Sequence, residues 1–276
     1  MSSTLTAIVS DLHSNVQALV RAVEDARERG ATRFVCLGDV IGYGARPNEC
    51  IAIVRALCDE KAPRWPESVG GEGPPLEPGL CLLGNHEHAL IGEANDFNPK
   101  ARAAIDWTRD ALNAEPDRQA KFAVWDWLDA LEPMRTDERA MYAHGSPRGP
   151  VREYLLPRDA RDREKMDANF ACMTRDVCFV GHSHVPAVYT EDGRLFRPRG
   201  TDGPYALETG PGRRAIVNVG SVGQPRDGDA RLSYVLFDGD SLQFVRLEYD
   251  HSAAAAQIRA VAELPDFLAD RLAVGR

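Results

Sequence analysis

The amino-acid sequence predicts an α/β protein, and three features of the chain support this prediction. Apolar runs of strand length alternate with amphipathic helical patterns near the N-terminus. A longer helical pattern follows from Asn98 to Leu131, and strand-like runs dominate the second half. With 276 residues, of which 43% are hydrophobic, the chain can bury a substantial core.

The first predicted elements form a β-α-β-α series. They are a strand from Leu5 to Val9, a helix from Val16 to Arg29, a strand from Phe34 to Leu37 and a helix from Pro47 to Asp59. Residues 61–79, KAPRWPESVGGEGPPLEPG, follow the second helix. Their proline and glycine content disfavours both helix and strand, so this segment is predicted to be an inserted surface loop.

The remaining elements continue after this loop with a strand from Leu80 to Leu83. The helical pattern after it predicts a cap-like insertion at about 92–172, a suitable place for a lid. Later strand-like runs lie at Ala140–Ala143, Val177–Val180, Val185–Tyr189, Ala215–Val219, Leu232–Phe237 and Leu242–Tyr249. A C-terminal helical segment is predicted at 253–272, with a break near Pro265. We expect residues 1–276 to form a single domain.

Composition and charge exclude several classes of protein. The formal net charge of -9 at pH 7 disfavours stable binding to nucleic acid or anionic lipid through bulk charge. No run of about 18 uncharged apolar residues indicates a membrane span, and the N-terminus lacks a basic region leading into an apolar signal core. The six cysteines form no CxxC pair and fit small buried side chains in a reducing compartment. A cytoplasmic location is therefore expected.

Potential metal ligands follow five of the predicted strands directly. Since the carboxyl ends of strands in an α/β sheet converge on one crevice, these side chains are expected to meet there. Five of the seven histidines fall at these ends. The polar strand-end residues are Asp11, His13, Asp39, Asn85, His86, His144, His182 and His184.

The spacing and type of these residues predict a metal site. Asp-x-His and His-x-His place alternate side chains on the same side of an extended chain, where both can reach one ion. Carboxylate, imidazole and amide ligands suit manganese, zinc or iron, and the absence of thiolate argues against a structural zinc knuckle. The candidates are too many for one tetrahedral ion. Two ions that share a carboxylate, about 3.5–4 Å apart, are typical of sites that clamp a phosphoryl group.

Six short motifs resemble those of the calcineurin-like metallophosphoesterase family, and they appear in the family's order. They are DLH at 11–13, GDVIGYG at 38–44, GNHE at 84–87, HG at 144–145, GHSH at 181–184 and NVGSVGQPRDGD at 218–229. Each is a short string, but together they are specific and cover most of the chain. The resemblance implies a four-layer αββα sandwich, with two mixed β-sheets flanked by helices and a dinuclear metal site along one edge.

The resemblance also assigns a role to each strand-end residue. It implies that Asp11, His13 and His184 bind one metal, that Asn85, His144 and His182 bind the other, and that Asp39 bridges them. His86 would remain unligated, contact the phosphate and protonate the leaving group, because an imidazole can supply a proton near neutral pH. Glu87 stands where the family more often has aspartate. If it acts as that aspartate does, it orients His86.

The expected reaction is hydrolysis of a phosphate mono- or diester by a metal-bridging hydroxide, without a covalent phosphoenzyme. The cofactors would be two divalent ions, manganese, iron, zinc or nickel, with manganese the expected activator in an assay. Their charge would make the pocket positive despite the acidic surface, since screening extends only about 8 Å in physiological salt. Arg46, Arg148 and Arg226 follow motifs closely and are candidates to clamp a further phosphate, against a simpler interpretation as surface arginines.

Two alternatives remain open at this point. One is a catalytically inactive scaffold of the same fold that binds protein partners, although such a protein would not need His86. The other is a nuclease, which the acidic composition disfavours. The substrate's attached group is undetermined among phosphomonoester, phosphodiester, dinucleoside polyphosphate and phosphoprotein. We expect the insertion at about 92–172 to determine that choice. The sequence does not indicate the oligomeric state.

Overall fold

A computed structural model describes residues 4–92, 94, 97–210 and 212–276. The strands in this part of the chain are β1 (Thr6–Val9), β2 (Arg33–Cys36), β3 (Leu80–Cys81), β4 (Met134–Thr136), β5 (Met141–Ala143), β6 (Val177–Val180), β7 (Ala187–Thr190), β8 (Leu195–Phe196), β9 (Asp202–Ala206), β10 (Ala215–Asn218), β11 (Leu232–Phe237) and β12 (Ser241–Leu247). The helices are α1 (Val16–Glu28), α2 (Pro47–Leu57), α3 (Asn85–Ile91), α4 (Pro99–Asn113), α5 (Arg118–Asp129), α6 (Arg163–Ala171), α7 (His251–Arg259) and α8 (Asp266–Asp270).

The strands form two mixed six-stranded sheets. The first has the order β3-β2-β1-β11-β12-β9, with β1, β2 and β3 parallel and the other neighbours antiparallel. The second has the order β4-β5-β6-β10-β7-β8, with β5, β6 and β10 parallel. Each sheet therefore has a block of parallel strands whose carboxyl ends point in one direction.

The two sheets pack face to face with helices on both outer faces. In β1, Ile8 faces the other sheet and contributes to a core with Phe179 and Val217, whereas its neighbours Ala7 and Val9 pack against the helices of the first layer. This alternation follows from the two-residue repeat of a strand. On the far side, α6 buries Met166 and Phe170 against the second sheet. The predicted four-layer arrangement of two mixed sheets flanked by helices is confirmed.

Local sequence signals explain where the helices near the parallel strand ends begin. The Asn15 side chain accepts a hydrogen bond from Ala18 N at 3.2 Å, which satisfies a free amide at the start of α1. Asn98 caps α4 in the same way, accepting from the Lys100 and Ala101 amides, and Pro99 occupies the first helical position. These caps fix the direction in which the chain leaves the loops at the sheet edge.

The structure adds detail to two of the predicted segments. The helical pattern over Asn98–Leu131 divides into α4 and α5, because Pro116 lies in the turn between them. The segment 61–79 contains a short 3-10 turn at Glu67–Val69 and is not purely a surface loop. Trp65 and Val69 are buried, and the Trp65 ring packs edge-on against Phe34 at 5.5 Å.

The segment from about 92 to 172 is not helical throughout. It contains β4 and β5 of the second sheet between α5 and α6, and its residues 93, 95 and 96 lie outside the described part. The short strands β8 and β9 were not predicted, since both lie among charged, proline and glycine residues at the sheet edges. The C-terminal break at Pro265 is present, between α7 and α8. Among the described helices, none is long and apolar enough to cross a bilayer.

Candidate metal centre

The loops that follow β1, β2, β3, β5 and β6 meet at one edge of the sandwich. Backbone hydrogen bonds continue the pairing of β1 and β2 into these loops, from Asp11 N to the Gly38 carbonyl at 3.1 Å and from His13 N to the Asp39 carbonyl at 2.9 Å. The second sheet is tied in by His182 N, which donates to Asp11 Oδ2 at 3.0 Å. The polar strand-end residues therefore converge from both sheets.

Backbone conformation in these loops is unusual. Seven non-glycine residues of the described chain have φ between 48° and 62°, a region that L-residues rarely adopt. All seven lie in the strand-end loops: Asp11, His13, Ser14, Asp39, Tyr43, His182 and His184. Such strain persists only where the surrounding structure imposes it, and it is concentrated at functional sites.

Two glycines make the close approach of these loops possible. A Cβ at Gly84 would lie 2.2 Å from Asp39 Oδ1, and one at Gly181 would lie 2.0 Å from Ser10 Oγ. Any side chain at either position would push the neighbouring loop away. Gly84 and Gly181 thus allow the loops after β3 and β6 to pack directly against the Asp39 and Asp11 loops.

The first group of potential ligands is fully buried and consists of Asp11, His13, Asp39 and His184, whose ligand atoms all lie within 4.8 Å of one another. His184 Nε2 lies 3.2 Å from both His13 Nε2 and Asp11 Oδ1. Asp39 Oδ2 lies 3.8 Å from His13 Nε2. Three loops from two sheets supply these four side chains.

The second group shares Asp39 with the first and adds His144 and His182. His144 Nε2 lies 3.2 Å from His182 Nδ1, 3.5 Å from Asp39 Oδ2 and 3.0 Å from Asn85 Oδ1. The Asn85 amide oxygen therefore faces the same space. All seven side chains that the sequence predicts as ligands are brought together, with Asp39 between the two groups.

Hydrogen bonding on the outer side of the rings shows that the residues present fit metal ions. His13 Nδ1 contacts the Ile41 carbonyl, His144 Nδ1 the Leu37 carbonyl and His184 Nδ1 the Gln224 carbonyl. A carbonyl is only an acceptor, so each Nδ1 carries the proton and each Nε2 presents a lone pair. The His13 and His184 lone pairs face each other at 3.2 Å and repel unless a cation lies between them. A backbone-bonded imidazole of this kind is the usual form of a metal-binding histidine.

Burial keeps these rings neutral. It lowers the pKa of His182 to about 2 and that of His184 to about 4, and it lowers the pKa of His144 as well. Burial raises the pKa of Asp39 well above its usual range, and the Glu87 and Asp11 carboxylates raise it further. Neutral imidazoles beside crowded carboxylates suit cation binding. The same arrangement is energetically unfavourable when no cation is bound.

His86 lies next to the two groups but belongs to neither. Its ring is buried between His13, Tyr43 and Phe97, with centroid distances of 4.7, 4.5 and 5.0 Å. Its Nε2 atom lies 3.9 Å from Asp39 Oδ2. Burial, followed by the positive charge of Arg226, lowers its pKa well below the usual value. The metal-free protein therefore holds His86 neutral at neutral pH.

Glu87 does not orient His86, contrary to the role that an aspartate at this position would imply. Its Oε2 atom accepts from Asp39 N at 2.8 Å and Gly84 N at 3.0 Å, and Oε1 accepts from Ile41 N at 3.1 Å. The carboxylate of this longer side chain therefore accepts from three backbone amides. Glu87 thus holds the Asp39 loop against the start of α3.

The three candidate arginines occupy different environments. Arg46 and Arg148 are exposed and form ion pairs with Glu49 and Glu153, respectively. Arg226 is half-buried, and its guanidinium lies 5.7 Å from the Tyr43 ring centroid and donates to Gln224 Oε1 at 2.8 Å. Its positive charge contributes to lowering the pKa of His13, His86 and His184. Of the three, Arg226 is the one beside the ligand groups.

Sequence reasoning missed several residues of the site. Asn218 and Ser221, within the motif at 218–229, hold the ligand loops: Asn218 Nδ2 donates to the Gly181 carbonyl at 2.7 Å, and Ser221 Oγ donates to the Asp11 carbonyl at 2.8 Å. Their place in a recognised motif was an available signal. Phe97 and Tyr154, which lie beside the site, belong to no motif.

Comparisons with known proteins agree with this geometry. A model of the calcineurin-like phosphoesterase superfamily domain matches residues 5–241. An uncharacterized protein of Methanocaldococcus jannaschii is 34% identical over 287 positions, with all of both chains covered. A metallophosphoesterase crystal structure from Sphaerobacter thermophilus is 35% identical, with a TM-score of 0.78 and 99% and 100% of the two chains covered.

A hypothetical protein of Pyrococcus horikoshii shares the fold at 17% identity, with a TM-score of 0.67 and 99% of each chain covered. The family match and the two relatives above 30% identity span nearly the whole chain, and the chain carries the Asp and His clusters that could hold metals. The protein belongs to the calcineurin-like phosphoesterase superfamily.

Proposed function

We propose that this protein hydrolyses a phosphate ester with two divalent metal ions. Asp11, His13 and His184 would hold one ion, Asn85, His144 and His182 the other, and Asp39 both. The observation that carries this proposal is the pair of buried ligand groups that share Asp39, with the lone pairs of His13, His144 and His184 directed inward. Imidazole, carboxylate and amide ligands without thiolate suit manganese, iron, zinc or nickel.

When bound, the ions would lower the pKa of a water molecule and offset the negative charge that develops on the phosphoryl oxygens. The chain's own residues position the ester for this reaction. Arg226 provides a guanidinium beside the ligand groups, and a guanidinium pairs with two phosphate oxygens at once. It would orient the phosphate and help to hold it at the ligand groups.

His86 is the proposed source of the leaving group's proton. Burial and Arg226 keep its imidazole neutral in the free protein. A phosphate dianion placed against the ring would raise the pKa of His86 again, because a nearby negative charge favours the protonated form. His86 would therefore gain its proton with the substrate and transfer it to the departing oxygen.

The test is hydrolysis of p-nitrophenyl phosphate and bis(p-nitrophenyl) phosphate by metal-stripped protein. Manganese, zinc, iron(II), nickel or magnesium is added back singly, and Asp39→Asn and His86→Ala are assayed alongside. We expect turnover to return with manganese and to be lost in both variants, and the faster ester distinguishes a phosphatase from a phosphodiesterase. Stoichiometric metal binding without turnover of either ester would contradict the proposal and favour a scaffold.

A further inference from the structure

A cavity of about 220 Å³ lies directly beside the second ligand group. Asn85 and His182, which face the proposed metals, form its inner wall. Tyr43, Phe97, Asn98 and Tyr154 form much of the remainder. Whatever is attached to a phosphate at the ligand groups can enter this cavity.

Aromatic rings dominate the walls. Tyr154 stacks on His182 with a centroid distance of 3.8 Å and an interplanar angle of 29°, yet 45% of the residue is exposed. Phe97 and Tyr43 both contact His86, each at a steep angle to its ring. Large aromatic surface is normally buried, so a half-exposed ring in a cavity beside a reactive site indicates a surface that a ligand covers.

Polar groups accompany these rings. The Asn98 side-chain oxygen is already used by the Lys100 and Ala101 amides, which leaves its NH₂ group as the donor at the cavity wall. Arg152 also lines the cavity and brings a guanidinium. A purely apolar ring would leave the Asn98 NH₂ group desolvated without a new partner, whereas a heterocycle with acceptors on its edge would accept from it.

We propose that this cavity binds the base of a nucleotide substrate, stacked on Tyr154, while the nucleotide's phosphate lies at the ligand groups. The inference rests on the proposed function and adds the substrate class to it. It also gives the segment between α3 and α6 a role in substrate binding, since Phe97, Asn98 and Tyr154 belong to that segment. Stacking tolerates any base, because every base has a π-face, so one nucleobase need not be selected over another.

The experiment compares two ligands that differ only in the base. They are the phosphonate analogues of adenosine 5′-monophosphate and ribose 5-phosphate, in which a methylene group replaces the ester oxygen so that no P–O ester bond can be cleaved. Calorimetry on manganese-loaded protein should show roughly tenfold tighter binding of the adenosine analogue, the scale expected for one base stacked on an aromatic ring.

Variants test whether Tyr154 causes that difference in affinity. Tyr154→Leu should remove most of the preference for the adenosine analogue, and Tyr154→Phe should retain it. Phe122→Leu is the matched control, since Phe122 is 49% exposed on α5 and does not line the cavity. Because Tyr154 also stacks on His182, the metal content of each variant is measured in parallel.

Equal affinities for the two analogues would overturn the inference, as would an undiminished preference in Tyr154→Leu. Tighter binding of a phosphotyrosine phosphonate than of the adenosine analogue would overturn it in favour of a protein substrate. These outcomes are separate from failure of the proposed function. That failure would appear as absent turnover of the nitrophenyl esters, and it leaves the binding comparison intact.

Discussion

The strand interiors and the loops that follow them differ in both residue type and backbone conformation. Within the sheets, residues such as Ile8, Val35 and Val217 are fully buried, apolar and regular in backbone conformation. A few residues later, the loops bury carboxylates and imidazoles on a backbone with positive φ. The interiors gain stability from burial, whereas the loops hold polar groups in costly positions that a cation would relieve. Apolar core residues and candidate metal ligands are thus separated along single strands.

The largest effect that this comparison predicts is on activity. His86→Ala should reduce kcat by roughly 100- to 10,000-fold, the range for loss of a general acid. The thermal unfolding temperature should fall by only several degrees, because removing the buried ring leaves a cavity but its Nδ1 atom has no hydrogen-bond partner to lose in the described chain. Steady-state kinetics and calorimetry check both parts. His251→Ala, at the start of α7, is the control that should retain activity. A fully active His86→Ala protein would remove this residue from the mechanism.

A core substitution should have the reverse effect. Phe244 is 1% exposed in β12 and packs in the core between the sheets, away from the ligand loops. Phe244→Ala should lower the free energy of unfolding by about 3–5 kcal/mol, because it removes buried surface and leaves a cavity. Urea denaturation measures the change, and kcat at a temperature where the variant is folded should match the parent. Phe122→Ala, on an exposed face, should fall within about 0.5 kcal/mol of it.

Metal binding should offset part of the free-energy cost of the polar loops and so stabilise the fold. If the ions relieve the facing lone pairs of His13 and His184, manganese at 100 times its dissociation constant should stabilise the fold by about 2.7 kcal/mol. Differential scanning fluorimetry should show a rise of several degrees that EDTA reverses. His13→Ala should show a smaller rise. The same melting temperature with and without each of manganese, zinc, iron(II) and nickel would refute this prediction.

Sequence reasoning found the strand-end site because its residue types carry chemical information. Asp11, His184 and the others follow apolar runs, and the glycines beside them mark close packing. The cavity wall could not be found in this way. Phe97 lies beside the site because Asn98 starts α4 there, and Tyr154 because of a long loop after β5, so neither position follows a local pattern. The partners of Glu87 were also hidden, because they include backbone amides nearly 50 residues away.

Asp39→Asn should change the free energy of unfolding by less than the core substitution does, and in the opposite direction. Its carboxylate is buried beside those of Glu87 and Asp11. Asp39→Asn removes a carboxyl group whose ionised form is disfavoured here, keeps the oxygen that accepts from His86 N, and suits the positive φ of 53°. The metal-free variant should therefore be more stable than the metal-free parent by about 1 kcal/mol, although it loses activity. A destabilised variant in urea denaturation would show that the loops carry no such cost.

The smallest effect concerns Asp137, at the opposite end of the sandwich. Burial opposes its charge, but the Ala140 and Arg139 amides and the Arg33 guanidinium at 2.8 Å lower its pKa below 3.8. Asp137→Asn should cost about 0.5–1 kcal/mol at pH 7, a value reduced by partial exposure.

The sign of the pH dependence for Asp137 follows from that lowered pKa. A group with a depressed folded-state pKa contributes stability above its unfolded value of 3.8, and this contribution is lost as the pH falls through the folded value. The difference between parent and Asp137→Asn should therefore shrink from pH 7 to pH 3 in urea denaturation. Asp129→Asn, at an exposed position, is the control. A difference that stays constant over this range would mean that the charge of Asp137 is not what stabilises this end of the sandwich.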